Sequence, residues 1–236
     1  MGLLSKTFLW TTPKLVRLYQ RMYGSLVGGD DLPINMKGDR DIEYSWVVAH
    51  IPEGGGVALD FGSGPGWMAL AAARKGFQVT ALDMMPVRWF YVHPGLRFVQ
   101  GDILKSLFPS NHFDLIINVS AIEHVGLNGR YDVVDAKPDG DLEAMAVLKA
   151  VLRPGKLMLF TIPIGQDRTF RPLHRVYGPE RLPRLLDGWE ILEQESWLKD
   201  ENNLWVRADE GVALAREPTP LCFGLGLYVL KNARSD

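Results

Sequence analysis

The residues of greatest chemical interest are acids and glycines placed at the ends of apolar runs. In "VALDFGSGPGW", Asp60 is followed by Gly62, Gly64 and Gly66, where a strand pattern gives way to a helix pattern. Asp83 closes the next apolar run, "VTALD", and Asp102 follows a third, "LRFVQGD". A glycine-rich turn before a helix lets backbone N–H groups approach a ligand closely, and phosphates are the usual occupants of such turns. The spacing argues against a phosphate here. A dinucleotide fingerprint needs G-x-G-x-x-G, but the third glycine comes one residue early, at Gly66, and Trp67 holds the place reserved for Gly or Ala. No Gly-Lys-Ser or Gly-Lys-Thr follows, which excludes a P-loop. Three carboxylates along one edge repel phosphates and suit a ligand with hydroxyls, amino groups and positive charge. Asp83, about twenty residues past the loop, is placed to hold the vicinal diol of a ribose.

A fourth run, "FDLIINVSAIEHV", ends in Glu123 and His124. The pKa of an unperturbed imidazole lies near neutrality, and no other histidine falls on this edge, so His124 is the preferred general base. The competing role is a histidine that caps the strand-to-helix turn or touches the ligand.

Periodicity supplies the elements that must carry these residues. "VALDFG", "QVTALD", "LRFVQGD", "FDLIINVS" and "KLMLFTIPIG" read as strands; "DIEYSWVVAHI", "WMALAAARKG" and "DGDLEAMAVLKAVL" read as helices, the second closed by Gly76. Strands alternating with helices imply right-handed crossovers and a parallel sheet whose ligands bind beyond the strands' carboxyl ends. Past Gly178 a short helix, "PERLPRLLD", precedes "WEILEQESWL" and, after a charged loop, "LCFGLGLYVLKN"; these last two strands are expected to form an antiparallel hairpin at the sheet edge. The fold class expected is a single Rossmann-like α/β domain with a seven-stranded, mostly parallel sheet.

The chain of 236 residues is long enough for one such domain with an end extension. Its 26 basic residues against 28 acidic ones form no basic stripe, so nucleic acid is not the expected partner. Cys222 is the single cysteine, which excludes an internal disulfide and a cysteine-based zinc site, and a reducing cytoplasm is the expected setting. The opening "MGLLSKTFLWTTPKLVRLYQRMYGS" is interrupted by Lys6 and Pro13, too short to span a bilayer and unlike a signal peptide. Leu15, Leu18, Tyr19 and Met22 fall on one face of a helix that packs on the domain, on a second subunit or loosely on a membrane. Residues 1–50 are therefore expected to hold N-terminal helices, a lid and a dimer contact, and residues 51–236 the ligand-binding domain, in a monomer or homodimer.

In order along the chain, "LDFGSGPG", "VTALD", "VQGD", "FDLIINVSAIEHV" and "LRPGKLMLFTIPIG" resemble the class I S-adenosylmethionine-dependent methyltransferases. The resemblance runs from Val57 to Gly165. It implies S-adenosylmethionine as cofactor, with S-adenosylhomocysteine as product. The backbone from Gly62 to Gly66 would lie against the methionine and ribose. Asp60 would meet the amino group, Asp83 the ribose hydroxyls, Asp102 the adenine amine and Ile103 the adenine face. Ser63, Trp67, Met84, Gly101, Asn118 and Ser120 complete the implied cofactor pocket, and Glu123 with His124 is the implied catalytic pair. "SAIEHVGLNGRYDVVDAKPDGDLEAM" and "HRVYGPERLP" further resemble a methyltransferase-like group of unknown function first noted in nematodes, extending the match to Arg40 through Leu186. Bacterial members of that group are often associated with surface-polysaccharide genes. Enzymes of the superfamily that methylate nucleobase amines carry an Asn/Asp-Pro-Pro-Tyr run where this chain has "NVSA", and cytosine carbon methylation needs a cysteine after a proline. Neither pattern is present.

Two polar insertions, "GLNGRYDVVDAKPDGD" and "GQDRTFRPLHRVYG", are expected to form the acceptor pocket with Arg130, Tyr131, Asp132, Asp135, Arg168, Arg171, His174, Arg175 and Tyr177. Arg40, Glu43, Tyr44 and Trp46 precede the first strand, where this fold places a lid, and Tyr44 and Trp46 offer ring faces to a sulfonium. Asp132, Asp135, Asp139 and Asp141 have the composition of a magnesium site, but Asp139 reads better as a helix N-cap and Asp141 as a first-turn acid, so no metal is expected. The function expected is methyl transfer to oxygen or nitrogen of a small polar acceptor, a sugar or glycan precursor being favoured. The alternatives are a non-catalytic S-adenosylmethionine-binding scaffold or sensor, and an NAD-dependent oxidoreductase or epimerase, which lacks its Tyr-x-x-x-Lys pair here.

Overall fold

The computed structural model describes residues 39–87, 91–105, 107–129, 131, 133 and 135–233. The expected first helix, with Leu15 to Met22, lies outside them, as do Arg130 and Asp132. The described residues belong to one compact unit. Its first element, α1 (Asp39–His50), lies on the domain itself: Trp46 and Val47, with Ile51 just beyond, join the core under the sheet. The helix ends where Lys75 Nζ reaches the carbonyls of Val48 and Ile51 at 3.0 and 2.7 Å, satisfying acceptors that a helix C-terminus leaves open.

The chain then alternates as its periodicity requires: β1 (Gly56–Phe61), α2 (Trp67–Arg74), β2 (Phe77–Asp83), β3 (Leu96–Gln100), β4 (Phe113–Val119), α3 (Gly140–Val151) and β5 (Leu152–Ile164). Buried alanines at 69, 72 and 73 let α2 sit close to the sheet, and Gly76, at φ 100°, closes it as expected. A short hairpin follows, β6 (Arg168–Phe170) and β7 (His174–Val176), then α4 (Arg181–Leu185), β8 (Trp189–Lys199), β9 (Trp205–Ala208), α5 (Glu210–Ala215) and β10 (Gly224–Asn232).

Among the described residues these strands form one sheet of order β3-β2-β1-β4-β5-β10-β8-β9, with β6 and β7 apart. Strands β1 to β5 are parallel; β10 runs antiparallel between β5 and β8. The expected seven strands are eight, because the charged loop after β8 contains β9, which pairs with β8 and extends the edge. The closing pair is antiparallel as expected, but β10 is inserted between β5 and β8. Cores cover both faces of the sheet, one built around α3 and the other around α1 and α2. The chain runs outward from β1 through β2 and β3, then returns to place β4 on the other side of β1. The crevice at that reversal, beyond the carboxyl ends of β1 and β4, is where such a sheet binds ligands.

Candidate functional site

A cavity of about 410 Å³ opens at that reversal, walled by Gly62, Gly64, Asp83, Met84, Gly101, Asp102, Ile103, Ser120, His124 and Tyr131 among others. The glycine loop builds one side. Gly62 has φ 67°, and a Cβ there would fall 2.3 Å from the Ala121 methyl, so the loop crosses the end of β4 with no room for a side chain. Gly64 has φ 48° and faces open space, a cradle that any side chain would fill.

The three acids have distinct roles in the fold. Asp83 Oδ2 accepts the Gly64 N–H and Oδ1 the Met85 N–H, both at 2.9 Å, so it shapes the loop from the cavity wall. Asp102 Oδ1 accepts the Leu104 N–H at 3.0 Å in a turn that aims Ile103 inward. Asp60 departs from expectation. It lies beneath the wall, 3% exposed, and its Oδ2 accepts the Ala69 N–H at 2.9 Å. Gly66, the N-cap of α2, has no side chain to cap that helix, so Asp60 supplies the acceptor from β1.

Burial pushes the Asp60 carboxyl up to about 7, partly offset by the Ala69 N–H and reinforced by the charge of Asp83. The folded chain therefore holds a proton on Asp60 that the unfolded chain gives up near 3.8. The stability this provides is complete below about pH 4 and is lost as pH rises through about 7. Melting temperatures of the ligand-free protein at pH 5.5 and 7.5 are expected to show a fall that Asp60→Asn removes, since the amide oxygen still accepts from Ala69 and does not titrate.

The opposite wall follows β4. Ser120 has a left-handed backbone at φ 45°, and the turn Ile122–His124 brings His124 to the cavity. The His124 Nδ1 lies 2.7 Å from the Leu173 carbonyl. A carbonyl only accepts, so Nδ1 carries the proton and Nε2 is the basic nitrogen of the neutral ring. Nε2 is 3.7 Å from Oε1 of the buried Glu123, and the Tyr131 ring meets the imidazole edge-on at 5.6 Å.

Several expected site residues lie elsewhere. Trp67 is half exposed against Tyr91, outside the cavity. Ser63 and Asn118 do not line it either. The Ser63 hydroxyl and both amide atoms of the fully buried Asn118 have no hydrogen-bond partner among the described residues, as groups satisfied by water or ligand would. Tyr44 packs against the α1 core and Trp46 is buried, stacked on His50, so neither offers a face to the cavity. Arg171 is on the surface. His174 is buried among Phe170, Phe223 and His124.

Tyr177 is fully buried and its hydroxyl donates to Asp141 at 3.0 Å. The same carboxylate receives Arg181 Nε at 2.9 Å and lies 3.7 Å from Arg175 Nε. Arg175 also donates to the carbonyls of Val125, Lys137 and Pro138, clamping both ends of the segment that carries Tyr131. Asp141, Arg175 and Tyr177 are thus scaffold, not acceptor contacts. Asp139 makes no N-cap bond; it pairs with Arg181. Asp135 and Lys137 do line the cavity. Glu43, expected only as part of a lid, is fully buried and receives the Thr161 hydroxyl at 2.5 Å and the Ser120 hydroxyl. A charged residue at a core position of a helical pattern was its one signal.

A family model described as a Caenorhabditis protein of unknown function, DUF268, matches residues 105–207, in agreement with the resemblance to the nematode group. Over 74 residues the chain is 34% identical to the ribosomal RNA large subunit methyltransferase E of Wolbachia sp. subsp. Brugia malayi, a stretch covering 29% of this chain and 33% of that protein. The chain thus spans about a third of that relative's length. Among solved structures, the 1,6-didemethyltoxoflavin-N1-methyltransferase of Burkholderia thailandensis, with 1,6-didemethyltoxoflavin and S-adenosylhomocysteine bound, aligns at TM-score 0.57 and 17% identity, over 98% of this chain and 92% of that one. The [4+2]-cyclase SpnF aligns at TM-score 0.58 and 17% identity, over 81% and 80%. The fold is that of the class I methyltransferases, and the cyclase illustrates that a fold alone does not name a reaction.

Proposed function

From the premise of a class I methyltransferase fold, we propose that this protein is an S-adenosylmethionine-dependent methyltransferase acting on oxygen or nitrogen of a small polar acceptor, with a sugar or glycan precursor favoured. One observation carries the reading: the glycine cradle, Asp83, Asp102 and His124 all face a single cavity. The donor set fits the cofactor. Asp83 retains acceptor positions for ribose hydroxyls, Asp102 and Ile103 form a polar and an apolar wall for a purine, and the acids of the wall suit a cation.

Bound S-adenosylmethionine would supply a methyl group on a sulfonium, and the chain's part is to align the acceptor and take its proton. His124 is the base. Its Nδ1–H, held by Leu173, fixes the tautomer, and Glu123 stabilises the imidazolium formed at Nε2. The oxygen or nitrogen acceptor would lose its proton to Nε2. Tyr131, Asp135 and Lys137 border the acceptor end. The favoured sugar rests on that polar border and on the nematode-group resemblance.

No helix among the described residues is long and apolar enough to cross a membrane.

The direct test is transfer of a tritiated methyl group from S-adenosylmethionine to nucleotide sugars, free sugars and small phenols, with calorimetry against S-adenosylmethionine and NAD. Binding of NAD alone would overturn the proposal. With the acceptor found, His124→Ala is expected to lower kcat by about 10²–10⁴-fold and leave S-adenosylmethionine affinity within about threefold. Unchanged turnover would remove His124 as base.

A further inference from the structure

Ser120, on the cavity wall, is held in its left-handed conformation by a closed ring of hydrogen bonds. Its N–H donates to the carbonyl and to Oγ1 of Thr161, each at 3.1 Å. The Thr161 hydroxyl donates to Glu43 Oε1 at 2.5 Å, and the Ser120 hydroxyl donates to the same oxygen. Glu43 belongs to α1 and is fully buried, outside the cavity. With both hydroxyls donating to Glu43 Oε1, the one proton of the Ser120 hydroxyl points into the protein and the cavity meets its lone pairs.

We propose that Glu43 is a positioning residue that sets Ser120 as an acceptor-only group, so that this part of the wall selects a protonated amine, the α-ammonium of an S-adenosylmethionine-type tail. The inference rests on the cavity being the cofactor site. A wall group that only accepts favours a ligand group that donates, and an ammonium is the strongest such donor. The near-contact of Gly62 with Ala121 brings the glycine loop beside Ser120, so a ligand on the loop presents its tail there.

The test is calorimetry on the full chain with two probes: S-adenosylhomocysteine and its analogue with hydrogen in place of the α-amino group. In Glu43→Gln the amide N–H donates to a hydroxyl and turns its proton around. Ser120→Gly deletes the hydroxyl at a φ that glycine adopts freely, so its folding is secure. Both variants are expected to bind S-adenosylhomocysteine about tenfold more weakly and the deamino analogue within about twofold of wild type. Equal loss for both probes, or undiminished S-adenosylhomocysteine binding by Ser120→Gly, would overturn the proposal. A wild-type protein that binds neither probe would instead overturn the cofactor reading, and this inference with it.

Discussion

Asp83→Ala is expected to weaken S-adenosylmethionine binding by about 100-fold, the loss of two hydrogen bonds to a charged acceptor of about 1.5 kcal/mol or more each. Each oxygen of Asp83 already accepts one backbone N–H, from Gly64 or Met85, and retains an acceptor position for a ribose hydroxyl. Alanine removes the ribose contacts and the tie on the glycine loop together. Asp83→Asn keeps one acceptor oxygen without the charge and should fall between alanine and wild type. Calorimetric titration with S-adenosylmethionine distinguishes these cases, and affinity for Asp83→Ala within about threefold of wild type would refute the ribose assignment.

Asp141→Ala should cost about 3–5 kcal/mol of stability, lowering the melting temperature by about 6–20 °C. The carboxylate is fully buried and faces Arg175, itself 2% exposed, along with Arg181 and Tyr177. Removing it leaves a buried guanidinium without its counter-charge. Burial, with the nearby charges of Asp141 and Glu123, holds the Tyr177 hydroxyl well above its ordinary range, so in the wild-type chain the phenol is a neutral donor to Asp141. Arg175 also clamps the cavity segment through the carbonyls of Val125 and Lys137, so ligand affinity should fall with stability. Melting curves of the ligand-free protein check the magnitude. The loss should be indifferent to magnesium and chelator; magnesium-dependent stability in wild type would make Asp141 a metal ligand instead.

Local order made much of this protein legible. β1, α2, β2, β3, β4 and α3 stand close to where apolar periodicity and Gly, Pro and Asp punctuation put them, because each element is set by neighbours within a few residues. β9 and α5 were hidden because they are only four and six residues long and Ala213 is the single fully buried side chain between them, too little to impose a period. β10 was recognisable as a strand, but its place between β5 and β8 depends on which edges were open when it paired.

The acids and glycines at the strand ends were readable in one dimension, since a parallel sheet brings every strand's carboxyl end to one edge. That order determined the location of Gly62, Gly64, Asp83, Asp102 and His124 around a common crevice. It did not separate Tyr131 on the cavity wall from Tyr177 locked against Asp141, two tyrosines in similarly polar insertions. Nor did it show that Asp60 caps a helix, or that Glu43 meets Thr161 across 118 positions of sequence. Only the tertiary structure decides such cases, because whether a polar side chain faces ligand or scaffold depends on which distant donors share its burial, and chain order does not encode that proximity.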